Sequence, residues 1–283
     1  MVPSKVAYHK PNTVAEAVGL LNQYKDECKI LAGGHSLIPV MKLRLADPEN
    51  LIDITGLSEL KGISESADAI TIGACCTHGE IAKSAAVQAN MPMVAKAAGM
   101  VGDVQVRNFG TIGGSIAHAD PAADWPAILL AANATIIIHH AGGSREVAAS
   151  DFFMGLFMTA AEENEIVGAI RIPKDAANKH STYEKFVQPA SRFALVGCAA
   201  AIDKSGGEVG TARVAFSGVS SKPFRDTGIE NALKGSVLNE SSIAASTVNA
   251  ADGVSIMQDH YANEKYRKHV AGVYARRALS ELI

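Results

Sequence analysis

Two short segments of this 283-residue chain combine residue types that can grip a multiply charged anion: Ala32-Gly33-Gly34-His35-Ser36 and Thr111-Ile112-Gly113-Gly114-Ser115. A Gly-Gly pair frees the backbone conformationally and clears side chains from the approach path. Consecutive N–H groups can then converge on an anion as a nest. Ser36, Thr111 and Ser115 add hydroxyls suited to phosphate oxygens. A diphosphate has more oxygens than one short loop can serve, so two loops closing from opposite sides make chemical sense. Neither segment matches G-x-G-x-x-G or G-x-x-x-x-G-K-[ST], which disfavours an ordinary Rossmann dehydrogenase and a P-loop ATPase.

Other chemistry-bearing residues are sparser. His35 sits inside the first segment and His118 just beyond the second, so each is read either as a ligand contact or as a polar filler. Asp120 precedes Pro121 and reads as a cap. Asp124 lies at the start of a helical pattern. His139 and His140 are adjacent on a strand pattern and face opposite sides, so they cannot chelate one metal together. Cys28, Cys75, Cys76 and Cys198 form no C-x-x-C pair, which argues against a disulfide framework, a metal site or a cluster built by this chain. No catalytic acid, base or nucleophile is expected here, and no metal ligand set.

The elements that must position the two loops can be read from periodicity. Thr13-Val14-Ala15-Glu16 has capping-box spacing, and Val14, Val18 and Leu21 recur at helical intervals. Lys29–Ala32 and Leu51–Ile54 read as strands, which gives a small α/β unit over about residues 1–55. Ala69–Ile72, Thr135–His139 and Ile166–Ile172 read as strands of a second sheet. Met93–Met100 and Asp124–Ala132 read as helices between them. Residues 174–180 are polar and patternless, and the domain boundary is placed there. Leu195–Ile202 and Ala212–Phe216, around Gly206-Gly207, read as an antiparallel meander. Residues 264–282 read as an amphipathic helix with Tyr266, Val270, Val273, Tyr274 and Ala278 on its buried face. Its basic residues, Arg267, Lys268, Arg276 and Arg277, read as a solvated face or a docking strip. The fold class is α+β: a two-subdomain module over 1–176 (subdomains about 1–55 and 56–176), then a C-terminal antiparallel sheet with helices over 177–283.

Composition narrows the function class. Lys+Arg is 26 against Asp+Glu 29, a net charge of −3, which is not the footprint of a nucleic-acid or anionic-membrane binder. Hydrophobic residues make up 48% and charged ones 19%, enough for a sizeable core. No apolar run has the length of a membrane span. Met1-Val2-Pro3-Ser4-Lys5 lacks the apolar region of a leader, so a cytoplasmic location is expected.

The loops and their surroundings resemble the FAD-binding medium chains of molybdenum hydroxylases, the family of the carbon monoxide dehydrogenase medium chain and the FAD domain of xanthine dehydrogenase. Ala32 to Pro39 with Met41-Lys42 resembles the family's first flavin loop. Thr111 to Ser115 with Ala119-Asp120-Pro121-Ala122-Ala123-Asp124 resembles its second. The resemblance extends through Asp103 to Asn108, Tyr183-Glu184-Lys185, and the tail around Tyr266 and Arg276, and so spans nearly the whole chain. It implies that Ala32, Gly33, Gly34, His35, Ser36, Leu37, Thr111, Ile112, Gly113, Gly114 and Ser115 hold the FAD pyrophosphate and adjoining parts. It implies Asp124 on the cofactor's hydroxyl-bearing ADP portion, and Lys185 near the flavin or its chain. Phe193 falls where the family places an aromatic, commonly tyrosine, against the isoalloxazine; this chain lacks that hydroxyl. Ser115 stands where asparagine also occurs.

The resemblance further implies a division of labour. A large subunit carries the molybdenum cofactor, a small subunit carries two 2Fe-2S iron–sulfur clusters, and this chain passes electrons from the clusters through FAD to an external acceptor. The assembly would be a dimer of heterotrimers. The rival readings are a free-standing two-loop flavin oxidase or dehydrogenase, and a non-enzymatic nucleotide-binding module.

Overall fold

In the computed structural model the described residues are 3–283; Met1 and Val2, the start of the segment read above for a leader, lie outside them. The fold is α+β and contains three main sheets. The first is small and parallel: Ala7–His9 pairs with Asn50–Asp53, which pairs with Cys28–Leu31. Thr13 caps the helix Val14–Tyr24 by accepting from the Glu16 N–H. That helix buries Val14, Ala17, Val18 and Leu21 in one cluster with Cys28, Ile52 and Ile54. Cys75 and Ile166, from the second sheet's region, join the same cluster and anchor the small unit to the rest.

The second sheet is antiparallel, in the order Ile63–Glu65, Ala69–Gly73, Ile166–Pro173, Thr135–His140, Gly143–Ala148. Strand alternation places Ile70, Ile72, Ile136, Ile138, Ile170 and Ile172 on one buried face. Each such side chain contributes about 1.5–3 kcal/mol on burial. That face packs on a helical excursion between the second and fourth of these strands, including His78–Lys83, Pro92–Met100, Ile112–His118 and Trp125–Ala131.

The third sheet, Ser181–Val187, Ala194–Asp203, Thr211–Ser217 and Phe224–Arg225, is an antiparallel meander. Its inner face carries Tyr183, Ala199 and Ala215 into the same core as Trp125 and Met93, so the helical layer lies between two sheets. Its outer face is covered by Glu264–Ser280. No helix among the described residues is long and apolar enough to cross a membrane.

Two expectations change. The patternless stretch 174–180 is tightly pinned: Asn178 is buried, donates to the Ala132 and Pro173 carbonyls, and accepts from Arg213, which also forks onto Asp175. The stretch has local structure, the short helix Ala176–Lys179 capped by Asp175, and its polar side chains serve an internal network. The terminal helix buries Arg267, Val270, Ala271, Ala275, Ala278 and Leu279, a face rotated from the one the aromatic residues marked. Small alanines let the helix approach the sheet closely, while Tyr266 stays at the edge. Arg267 is not solvated: its guanidinium donates to the Leu195, Gly218 and Met257 carbonyls and pairs with Asp259.

Candidate functional site

The first glycine segment leaves the strand Cys28–Leu31 and leads into the helix Leu37–Lys42. Gly34 has φ +73°, the left-handed region in which glycine carries no Cβ penalty. Among the described residues no acceptor engages the backbone N–H groups of Gly33, Gly34, His35 or Ser36. Four successive unengaged donors at a turn are the components of an anion nest.

The second segment has a different form. It follows a helix, Val104–Phe109, and Thr111 is the N-cap of the next helix, Ile112–His118. Its amides are engaged by protein. Ile112 N–H donates to the Cys76 carbonyl, Gly113 to Ala74, Gly114 to the Thr111 hydroxyl and Ser115 to the Thr111 carbonyl. Gly113 is needed for packing: a Cβ there would lie 2.9 Å from the Ala74 Cα. Both loops were expected to offer amides. Only the first does, because the second uses its own to dock on residues 74–76 and to start its helix.

The two segments meet. A Cβ on Gly33 would lie 2.7 Å from the Gly110 Cα and nearer still to the Phe109 carbonyl oxygen. A Cβ on Gly114 would lie 3.7 Å from the Ala32 Cβ. Beside this contact opens a cleft of about 660 Å³, within the usual range for cofactor sites. Its walls include Ala32, Gly33, Gly34, His35, Ser36, Leu37, Thr111, Gly113, Gly114, Ser115, Asp124 and Phe193. Ile112 and Lys185 are not on that wall. Ile112 is fully buried in the central core, where it fixes the helix start. The Lys185 amine donates to the Met100 and Arg192 carbonyls and to Asp124 Oδ2 at 3.1 Å, so all three of its donors are engaged from behind the cleft.

Asp124 is thus the link between cleft and interior. Tyr183 donates to its Oδ1 at 2.6 Å and Lys185 to its Oδ2. Burial pushes its carboxyl above the ordinary carboxylate value, while Lys185 and the Tyr183 hydroxyl pull it back. Burial, with the neighbouring carboxyl, raises the Tyr183 phenol well above its usual value, so it remains a donor. Phe193, 42% exposed, stands on a turn after Arg192, whose φ is +63° and whose carbonyl Lys185 holds.

Sequence reasoning did not single out Ala74 and His78, which also line the cleft. His78 is buried; its Nδ1 accepts from the Trp125 indole N–H at 3.1 Å, and its backbone N–H donates to the Gly110 carbonyl. Burial lowers its pKa to about 4, so the ring is neutral at pH 7. The signal available was the capping-box spacing of Thr77 and Glu80; the box forms and fixes where this part of the wall turns. Cys75 and Cys76 pack inward, and burial pushes the Cys75 thiol up to about 12, so it is inert at neutral pH.

The chemistry of this donor set fits a dinucleotide: unengaged amides and hydroxyls for phosphate, a carboxylate for sugar hydroxyls, and half-exposed aromatic rings for planar heterocycles. Comparison with known proteins agrees. Residues 4–175 match the model of the FAD binding domain in molybdopterin dehydrogenase, and residues 181–282 match the CO dehydrogenase flavoprotein C-terminal domain. The carbon monoxide dehydrogenase medium chain of Hydrogenophaga pseudoflava is 40% identical over 99% of this chain and 98% of its own. The glyceraldehyde dehydrogenase medium chain of Sulfolobus acidocaldarius is 37% identical, with both chains fully covered. The solved structure of the Hydrogenophaga pseudoflava enzyme superposes with a TM-score of 0.95, covering 100% of this chain and 98% of that one. Quinoline 2-oxidoreductase from Pseudomonas putida 86 superposes at 0.94 with 30% identity, covering 100% and 98%. The chain belongs to the family of FAD-binding medium subunits of the molybdenum hydroxylases.

Proposed function

We propose that this chain is the electron-transfer subunit of a molybdenum-containing hydroxylase, taking electrons from 2Fe-2S clusters on a small iron–sulfur subunit and delivering them to an external acceptor. A large subunit with the molybdenum cofactor oxidises the substrate, and the complex is a cytoplasmic dimer of heterotrimers. That relatives are named as medium chains of carbon monoxide and glyceraldehyde dehydrogenases supports the multi-chain setting. The observation that carries the reading is the approach of Gly33 to Gly110 at the edge of the cleft.

Bound FAD supplies two-electron redox chemistry that can proceed through single-electron transfers. The residues bind and orient it. Gly33, Gly34, His35 and Ser36 present their N–H groups to the pyrophosphate, with Ser115 and Thr111 beside them. Gly114 keeps a side chain out of that space, Gly113 lets the start of its helix dock on Ala74, and Leu37 closes its end. Asp124 accepts from sugar or ribityl hydroxyls, held in place by Tyr183 and Lys185. Phe193 offers a ring face to the isoalloxazine. Lys185 acts through Asp124 and the Arg192 carbonyl, and Ile112 acts by anchoring the second loop.

The test is to purify the full chain with the chains that accompany it and record the visible spectrum before and after reduction. Non-covalent flavin that bleaches on reduction, in company with iron–sulfur and molybdenum chains, supports the reading. A colourless preparation that ignores added FAD overturns it. Full substrate turnover by this chain alone overturns the subunit role.

A further inference from the structure

One exposed feature at the cleft is unused by the reading above. The strands Phe153–Gly155 and Met158–Thr159 form a hairpin in which Gly155 faces Met158, leaving Leu156 and Phe157 as its two-residue turn. Phe157 has φ +54°. Glycine and asparagine are the residues such a turn position favours, and a bulky side chain there is an outlier. The turn therefore does not explain the phenylalanine. Phe157 is 52% exposed, so the core does not explain it either.

What the ring does touch is informative. It rests against His118, with centroids 5.1 Å apart and planes inclined by 48°. Both residues line the cleft. His118 ends the helix that Thr111 begins, two turns along from the contact between the loops. A backbone held in a sparsely populated conformation, presenting a half-bare ring to a binding cleft, marks a functional constraint.

We propose that Phe157, buttressed by His118, is a stacking platform for a planar heteroaromatic ring of the bound dinucleotide. This rests on the proposed FAD site and adds to it a wall on the hairpin. Adenine and isoalloxazine share the required chemistry, a π face.

The experiment uses the full chain, purified with its accompanying chains and stripped of flavin. FAD, FMN and ADP are titrated against wild type, Phe157→Gly and Phe157→Tyr. Phe157→Gly suits the left-handed turn, so its melting temperature is expected at or above wild type. Its FAD Kd is expected to rise about tenfold or more, the usual scale of aromatic stacking. Phe157→Tyr is expected to bind like wild type. A weakened ADP arm with FMN unchanged assigns the ring to adenine; the converse assigns it to isoalloxazine. Either supports the platform. An unchanged FAD Kd in Phe157→Gly overturns it, and loss of the accompanying chains at unchanged Kd makes the hairpin a subunit contact instead. A wild type that binds no flavin overturns the functional reading itself.

Discussion

Gly33 lies against Gly110 so closely that a methyl group on the former would come within 2.7 Å of the latter's Cα. Residues almost eighty positions apart in sequence are thus in backbone contact, and the cleft opens beside them. The glycine is required at this position by its neighbour, quite apart from any ligand.

Gly33→Ala should therefore separate the loops. The obstacle is backbone on both sides, which cannot rotate away as a side chain can. The expected cost is about 1–3 kcal/mol of stability, with a fall in bound flavin. Differential scanning calorimetry and the flavin-to-protein absorbance ratio read the two effects. Gly19→Ala is the matched control: Gly19 is exposed in the helix Val14–Tyr24 with nothing within 4 Å of its added Cβ. It should stabilise by about 0.5–1 kcal/mol and leave flavin content unchanged.

The charge at the back of the cleft gives a second prediction. Lys185→Met leaves the Asp124 carboxylate buried without its cation. Stranding one member of such a pair costs about 3–5 kcal/mol. Adding Asp124→Asn should recover part of that loss, since the amide brings no charge to be compensated. Urea denaturation of the single and double variants measures the coupling; strictly additive losses would contradict it.

His78 makes stability depend on pH. Its folded pKa of about 4 lies below its ordinary value of 6.5. Between those values the unfolded chain binds the proton and the folded chain does not, so stability falls as pH drops from about 6.5 toward 4. The full effect is about 3 kcal/mol at 1.36 kcal/mol per pKa unit. His78→Asn, which keeps an acceptor for Trp125, should flatten urea midpoints over that window relative to wild type. A parallel pH dependence in both proteins would show that other groups dominate.

The loop assignment yields a charge test. Gly114 is exposed beside the cleft, and its added Cβ would meet the Thr111 hydroxyl at 2.9 Å, so a substitution strains that helix cap, at a cost of about 0.5–2 kcal/mol, but meets no backbone. Gly114→Asp should leave the fold largely intact, yet place a carboxylate where phosphate is proposed to sit. Equilibrium titration should find FAD affinity abolished; affinity equal to wild type would remove the second loop from the site.

Much of this was legible in the chain because local chemistry and tertiary role coincide. The first loop is such a case: Gly33, Gly34 and Ser36 follow a strand, and the structure leaves their amides unengaged. Thr13 and Asp124 mark helix starts where the sequence places them. Legibility ended where a residue type serves two purposes. Gly113 looks like part of an anion loop, but its packing reason is Ala74, sequence-distant and unremarkable in type. Lys185 looks like a cation for a cofactor, yet its amine donates its hydrogen bonds to three protein acceptors. Arg267 looks like a surface charge but joins the third sheet to the residues before the last helix. Hydrogen-bond partners brought in by topology decide such cases, and no local pattern encodes them.

The central claim is that these two glycine segments jointly hold a flavin dinucleotide. Flavin released from the purified chain and its companions, quantified per chain for wild type, Gly33→Ala and Gly114→Asp, tests it most directly. Stoichiometric FAD in wild type and marked loss in both variants is the expected result. Wild-type protein without FAD, or both variants retaining it in full, would contradict the claim.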